Sequence, residues 1–206
     1  MTDQTKYHRR FYEITPDIRG GGRGHGMKLL NADVLKRPGT IVFGRASYDS
    51  PGFDYFTERP KLIYKKSEGH LPRDLEPYAG YWLVSSRMHE VLNSIDPAGF
   101  EFVACDYTPS DGSKGEQYYL CDVIRTLDAV DESASTIKIE IDKNKFIDGK
   151  YYSVKSDAKF VFRDEVVGPA HIFWNRYSGR IFCDAALRDA CIAAKLSGIQ
   201  FRDFNN

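Results

Sequence analysis

Apolar residues recur along this chain in short alternating runs, the period-two pattern of strands with one buried face. The pattern predicts strands at RFYEI (10–14), TIVFG (40–44), KLIYK (61–65), YWLVS (81–85), FEFVAC (100–105) and YYLCDVI (118–124). It continues at TIKIEI (136–141), KFVFR (159–163), HIFW (171–174), RIFC (180–183) and IQFRDF (199–204). Turn chemistry separates them. Asp148-Gly149 is a hairpin signal, and Ser50-Pro51-Gly52, Asp111-Gly112 and Gly168-Pro169 mark loops.

Helical periodicity is confined to two places that resemble each other: YWLVSSRMHEVLNSIDPAGFEF and RIFCDAALRDACIAAKLSGIQF. Each has an apolar strand, then a residue, Ser85 or Asp184, able to cap a first helical turn with its side-chain oxygen. Met88, Val91, Leu92 and Ile95 follow the first cap, and Leu187, Ala190, Cys191 and Ala194 occupy the same offsets after the second. Those offsets form one helical face. Gly99 and Gly198 also match, where positive φ would turn the chain into the next strand. The expected fold is therefore α+β: a strand-rich mixed sheet with few helices, containing two similar strand–helix–strand modules at about 81–105 and 180–204. A chain of 206 residues suits one compact unit over 1–206, with 106–117 as the boundary if it divides into two lobes.

Composition narrows the class. Hydrophobic content of 42% and aromatic content of 14% can build a core. No run is long enough to cross a bilayer, and the N-terminus has no apolar signal core, so a cytoplasmic location is expected. Cys105, Cys121, Cys183 and Cys191 lack CxxC spacing and read as small buried hydrophobes. The net charge of zero is a cancellation: residues 96–132 carry nine acids against Lys114 and Arg125, while residues 1–45 hold nine Lys/Arg against four Asp/Glu. The acidic segment either steers a basic partner or is paired internally.

Motifs for chemistry fail on spacing. RGGGRGHGMK (19–28) matches neither GxGxxG nor a Walker loop. The five histidines form no zinc pattern, DKNKFIDG (142–149) lacks the glycine of a calcium loop, and RYSGR (176–180) lacks the first glycine of GxSxG. No catalytic residue, cofactor or metal is therefore expected. In YYLCDVIRTLDAVDESAS (118–135), strand alternation sets Asp122 beside Leu120 and Ile124, opposite Tyr119, Cys121 and Val123. A carboxylate among apolar neighbours needs donors, which favours a structural role over a catalytic one. Asp128, Asp131, Glu132, Ser133 and Ser135 read as turn chemistry. The rival reading is a small hydrolase or transferase using Asp122 with His171, which requires the two within hydrogen-bond reach.

The run at 118–135 resembles the "YxLLNV…VDALD…S" signature of the eleventh numbered immunity-protein family of bacterial polymorphic-toxin systems. FYEI, WLVSS, EFVAC, VFRD (161–164) and the module ending at 204 are similar in the same order, over about residues 11–204. The family typically has Asn where this chain has Asp122, and the loop at 19–26 is a local elaboration. The resemblance implies an immunity protein that binds and blocks a cognate toxin encoded beside it, frequently a nuclease, without catalysis. A nuclease is locally basic, so the expected partner is a basic protein domain, with neither nucleic acid nor membrane bound. Two acidic, aromatic loops are the expected contacts: Tyr48, Asp49, Phe53, Asp54, Tyr55, Phe56 and Glu58 in the first, Asp106, Tyr107, Asp111 and Glu116 in the second. The opposing reading has these loops folding their rings onto the core.

Overall fold

The computed structural model describes residues 9–19, 24–46, 51–107, 109, 115–144, 147–155 and 157–205. Strands β1 (Phe11–Pro16), β2 (Met27–Leu29), β3 (Lys61–Tyr64), β4 (Leu75–Tyr78) and β5 (Tyr81–Ser85) lead into helix α1 (Ser86–Ile95). Next come β6 (Phe100–Ala104), β7 (Asp106–Tyr107), β8 (Tyr118–Val123), β9 (Thr126–Leu127), β10 (Lys138–Ile141) and β11 (Lys150–Ser153). The short helix α2 (Asp164–Val167) precedes β12 (Ile172–Asn175) and β13 (Ile181–Asp184). Helix α3 (Ala185–Ala193) then leads to β14 (Ile199–Asp203). The result is a strand-rich α+β fold.

The two modules share one plan. One sheet has the order β4-β5-β8-β6 and the other β14-β1-β13-β12-β9. β5 and β6 both run antiparallel to β8 between them, and β13 and β14 both run antiparallel to β1. Each first strand is also hairpinned to its predecessor, β4 or β12. Ser85 accepts the Met88 amide and Asp184 the Leu187 amide, so both expected caps form. The central strands end alike: the Ile124 amide donates to Gly99 O at 3.0 Å, and the Asp17 amide to Gly198 O at 2.8 Å. The glycines differ. Gly198 takes φ 80°, as expected at both, whereas Gly99 does not enter positive φ. Gly99 serves close packing instead, since a Cβ there would meet Ile172 Cγ2 at 2.6 Å.

Three clusters fill the interior. The first gathers one face of both sheets with both module helices, including Ile14, Trp82, Met88, Leu92, Cys121, Cys183 and Leu187. The opposite face of the β1–β13 sheet carries Phe11, Phe173 and Phe182, which pack against Phe160, Phe162 and Phe204. The opposite face of the β5–β8 sheet carries Tyr81, Leu83, Tyr118 and Leu120 against Met27, Phe53 and Leu62. All four cysteines are buried and reduced.

Two predicted strands are absent as such. At TIVFG the chain bends, with the Thr40 hydroxyl bonding Arg37 O and Val42 O and Gly44 at φ 145°, so Ile41 and Val42 stand exposed. KFVFR makes isolated bridges from Lys159 and Phe162. Asp148 and Gly149 take positive φ at the turn of the β10–β11 hairpin, as that dipeptide predicts.

Candidate partner-binding surface

Alternation along β8 decides the environment of Asp122. Cys121 and Val123 join the helix-side cluster, while Leu120 faces the other way with Asp122 beside it. Asp122 is 2% exposed. Its Oδ1 accepts from Arg45 Nη1 at 2.5 Å and its Oδ2 from the Gly52 amide at 2.8 Å. Glu101, paired with Asp122 across the ladder, accepts the Phe53 amide at 2.8 Å. Two carboxylates on adjacent strands thus fasten the segment at 51–56 by its backbone. Burial pushes the Asp122 carboxyl up to about 6 in spite of the Arg45 charge. Asp122 makes no direct hydrogen bond to His171, the pairing of the enzyme reading; the His171 Nδ1 bonds Asp184 at 2.8 Å.

The fastened loop turns its rings inward. Phe53 is buried, 4.9 Å from the Tyr81 ring and 5.0 Å from Phe56. The Tyr55 and Tyr81 hydroxyls share a short hydrogen bond, and the Arg37 guanidinium lies 4.4 Å over the Tyr55 ring. Tyr55 and Phe56 are half-buried, whereas Asp54 and Glu58 are exposed. Hydrogen bonds from Asn31 and Lys61, both at 2.8 Å, hold Glu58 below the usual carboxylate range. Tyr48, Asp49 and Asp111 lie outside the described residues.

The two loops chosen from sequence meet in space. β7 pairs parallel with β3, setting Asp106 beside Lys61 and Tyr107 beside Leu62, and the Asp106 amide bonds Pro60 O. Asp106 stays exposed, 3.7 Å from Arg59. Beside this edge a groove of about 460 Å³ is lined by Tyr64, Leu71, Tyr107, Pro109 and Tyr118, with Glu116 among its walls. Gly115 permits it: a Cβ there would stand 2.6 Å from the Tyr107 ring. The Tyr118 hydroxyl donates to Glu116 at 3.3 Å, and burial raises its pKa beyond the ordinary range for tyrosine. Sequence reasoning found Tyr107 and Glu116 but missed Tyr64, Leu71 and Tyr118, whose convergence depends on pairing between distant strands.

Residues 10–206 match the model of the immunity protein family Imm11. The chain belongs to that family. Membership implies a toxin-neutralising protein that binds a cognate toxin, and a non-enzymatic role. No curated protein matches the chain. Among the described residues no cluster of potential metal ligands occurs, and no helix is long and apolar enough to cross a membrane.

Charge in this immunity protein is distributed differently from the steering field that the segment at 96–132 suggested. Asp96 accepts from Arg125 at 2.5 and 3.0 Å and from the His171 amide at 2.8 Å, which holds it low despite burial. Glu132 accepts from Lys150 and from the Tyr152 hydroxyl, both at 2.6 Å. Asp131 caps Ser133 and Ala134 through its Oδ1. With Asp122 held by Arg45, much of the negative run is neutralised by distant cations or local amides. The exposed acids Asp106 and Glu116 sit at the β7 edge and the groove.

Proposed function

We propose that this immunity protein neutralises its cognate toxin by laying the β3–β7 edge and the tyrosine-lined groove over the toxin's active or substrate-binding surface. A groove lined by Tyr64, the exposed Leu71 and Tyr107, beside the surface acids Asp106 and Glu116, carries the reading. Tyrosines bury large area at low entropic cost, and such anchors dominate interface energetics. Asp106 and Glu116, with Asp54 and Glu58 on the neighbouring loop, suit a basic toxin domain, and a nuclease is the toxin class whose binding cleft is basic. Phe53, Phe56 and Tyr55 then support the face from beneath, and the Asp122–Arg45 pair holds it in place. The proposed action is in the cytoplasm, on a protein partner, with no nucleic acid or membrane bound.

The test is titration of the purified protein with the toxin domain encoded beside it. Asp106→Lys with Glu116→Lys is expected to slow association and weaken the complex at least about tenfold, with a reduced dependence on salt. Leu71→Asp is expected to speed dissociation. No complex with that toxin, or one indifferent to all three substitutions, rejects the reading.

A further inference from the structure

Among the described residues the hairpin of β10 and β11 forms a two-stranded sheet of its own, with β10 paired along one edge and no strand along the other. Two hydrogen bonds set its phase. The Asp142 amide donates to Gly149 O at 3.0 Å across the hairpin, and the Tyr152 amide donates to Tyr177 O at 2.8 Å on the far side of β11. Because peptide groups alternate along a strand, Lys138 and Glu140 turn theirs toward β11, while those of Ile139 and Ile141 face outward. Their side chains are 37% and 68% exposed. Neither proline nor bulge interrupts Lys138–Ile141. Such an edge is a template for another strand unless something blunts it.

We infer that β10 pairs with β10 of a second copy of this chain, antiparallel about Ile139, joining two hairpins into one sheet. An in-phase two-fold register must set outward residue against outward residue. Centred on Ile139, it places Ile139 opposite its own copy, Ile137 opposite Ile141, and Lys138 opposite Glu140 on both sides of the axis. The last pairs are non-hydrogen-bonded, where side chains approach most closely. Lys138 and Glu140 already project from one face, 2.9 Å apart and partly exposed. Lys138 would deter a neighbouring strand that offers no acid, and its own sequence offers one. The interface is isologous, as closed symmetry requires. So short a ladder buries much less than the roughly 1,200 Å² of a stable interface, so the dimer is weak, with a Kd on the order of 100 µM.

The experiment is sedimentation velocity of the full chain over roughly a hundredfold range of concentration, with amide exchange followed by NMR at both ends of the range. A reversible dimer is expected, with the amides of Ile139 and Ile141 protected only at high concentration and those of Lys138 and Glu140 unchanged. Lys138→Glu should weaken association about tenfold by setting like charges opposite. Lys138→Glu combined with Glu140→Lys should restore it. A monomer throughout overturns the inference, and the unsubstituted protein alone decides that. A dimer that tolerates the single swap, or protection of Ile139 and Ile141 that needs added toxin domain, also overturns it, the latter assigning the edge to a strand of the partner.

Discussion

The modules at β5–α1–β6 and β13–α3–β14 solve one problem twice with different materials. In each, the capping residue reaches the residue that precedes the hairpinned strand: the Ser85 hydroxyl donates to Asp74 at 2.7 Å, and Asp184 bonds His171 at 2.8 Å. That residue then reaches the other module. Asp74 Oδ2 accepts from the Ser197 amide and hydroxyl, both at 2.8 Å, while the His171 amide donates to Asp96 at 2.8 Å. The helix start of one module is thereby tied to the helix end of the other in both directions. What differs is the outer face. The β13 module covers its sheet with phenylalanine and pairs Glu13 on β1 with the partly exposed Arg180, whereas the β5 module places Asp122 on β8 with a fully buried Arg45 and satisfies it from loops. A covering of apolar rings holds itself by area; a covering that includes a buried acid depends on each partner being present.

The largest effect should come from breaking that dependence. Asp122→Ala leaves Arg45 buried without its carboxylate and frees the Gly52 amide, and should cost about 3–5 kcal/mol in urea unfolding at pH 7. A loss below about 1 kcal/mol would show that the loop needs no ionic fastening. The same residue carries a pH signature. Its carboxyl is raised to about 6 from 3.8, so the folded protein holds this proton more tightly than the unfolded chain. The stability linked to its protonation is therefore full below about pH 4 and is lost as pH rises through 6, separately from the pairing of Arg45 that Asp122→Ala removes. Asp74, Glu76 and Asp96 are lowered and act in the opposite sense, losing theirs as pH falls. Subtracting the pH profile of Asp122→Asn from that of the unsubstituted protein isolates the first contribution. A carboxyl signal titrating near 4 would remove it.

These comparisons also separate what the sequence makes legible from what it does not. Caps and helix faces are local rules, so α1 and α3 could be placed before any contact was known. The strand lying between each pair of module strands is not local: β8 follows its module, whereas β1 arrives from the other end of the chain. β4 escaped notice because Pro77 argues against a strand, and it is tolerated there because β4 lies at a sheet edge. TIVFG has a strand's pattern but, among the described residues, no strand pairs with it. Among the candidate contacts, acidic and aromatic composition singled out two loops that meet at the β3–β7 edge but could not give ring direction. Phe53 turns inward because Asp122 and Glu101, both far along the chain, bind the backbone beneath it.

The matched glycines sharpen the comparison at the next level. At Gly198 an added Cβ would meet Leu75 O at 2.3 Å in a backbone held at φ 80°, so both strain and a carbonyl oppose it. Gly198→Ala should cost about 3 kcal/mol. At Gly99 the nearest atom is Cγ2 of the fully buried Ile172 at 2.6 Å, but no positive φ adds strain, so Gly99→Ala should cost about 2 kcal/mol. Calorimetric melting of both variants checks the order. Equal losses would mean that backbone conformation contributes nothing beyond contact.

The smallest contrast lies at the caps. Ser85→Ala removes the acceptor for the Met88 amide and a donor to Asp74, and a cap of this kind is worth about 1 kcal/mol. Asp184→Ala removes the acceptor for the Leu187 amide and, with it, partners for Arg9 at 2.6 Å and His171 at 2.8 Å. Because Asp184 is buried while Arg9 and the His171 ring remain partly exposed, water replaces these partners only in part, and the loss should rise to about 2 kcal/mol. Urea midpoints of the two variants at neutral pH measure the gap. If it closes, Arg9 and His171 find equivalent partners in water, and the aspartate of the second module does no more than the serine of the first.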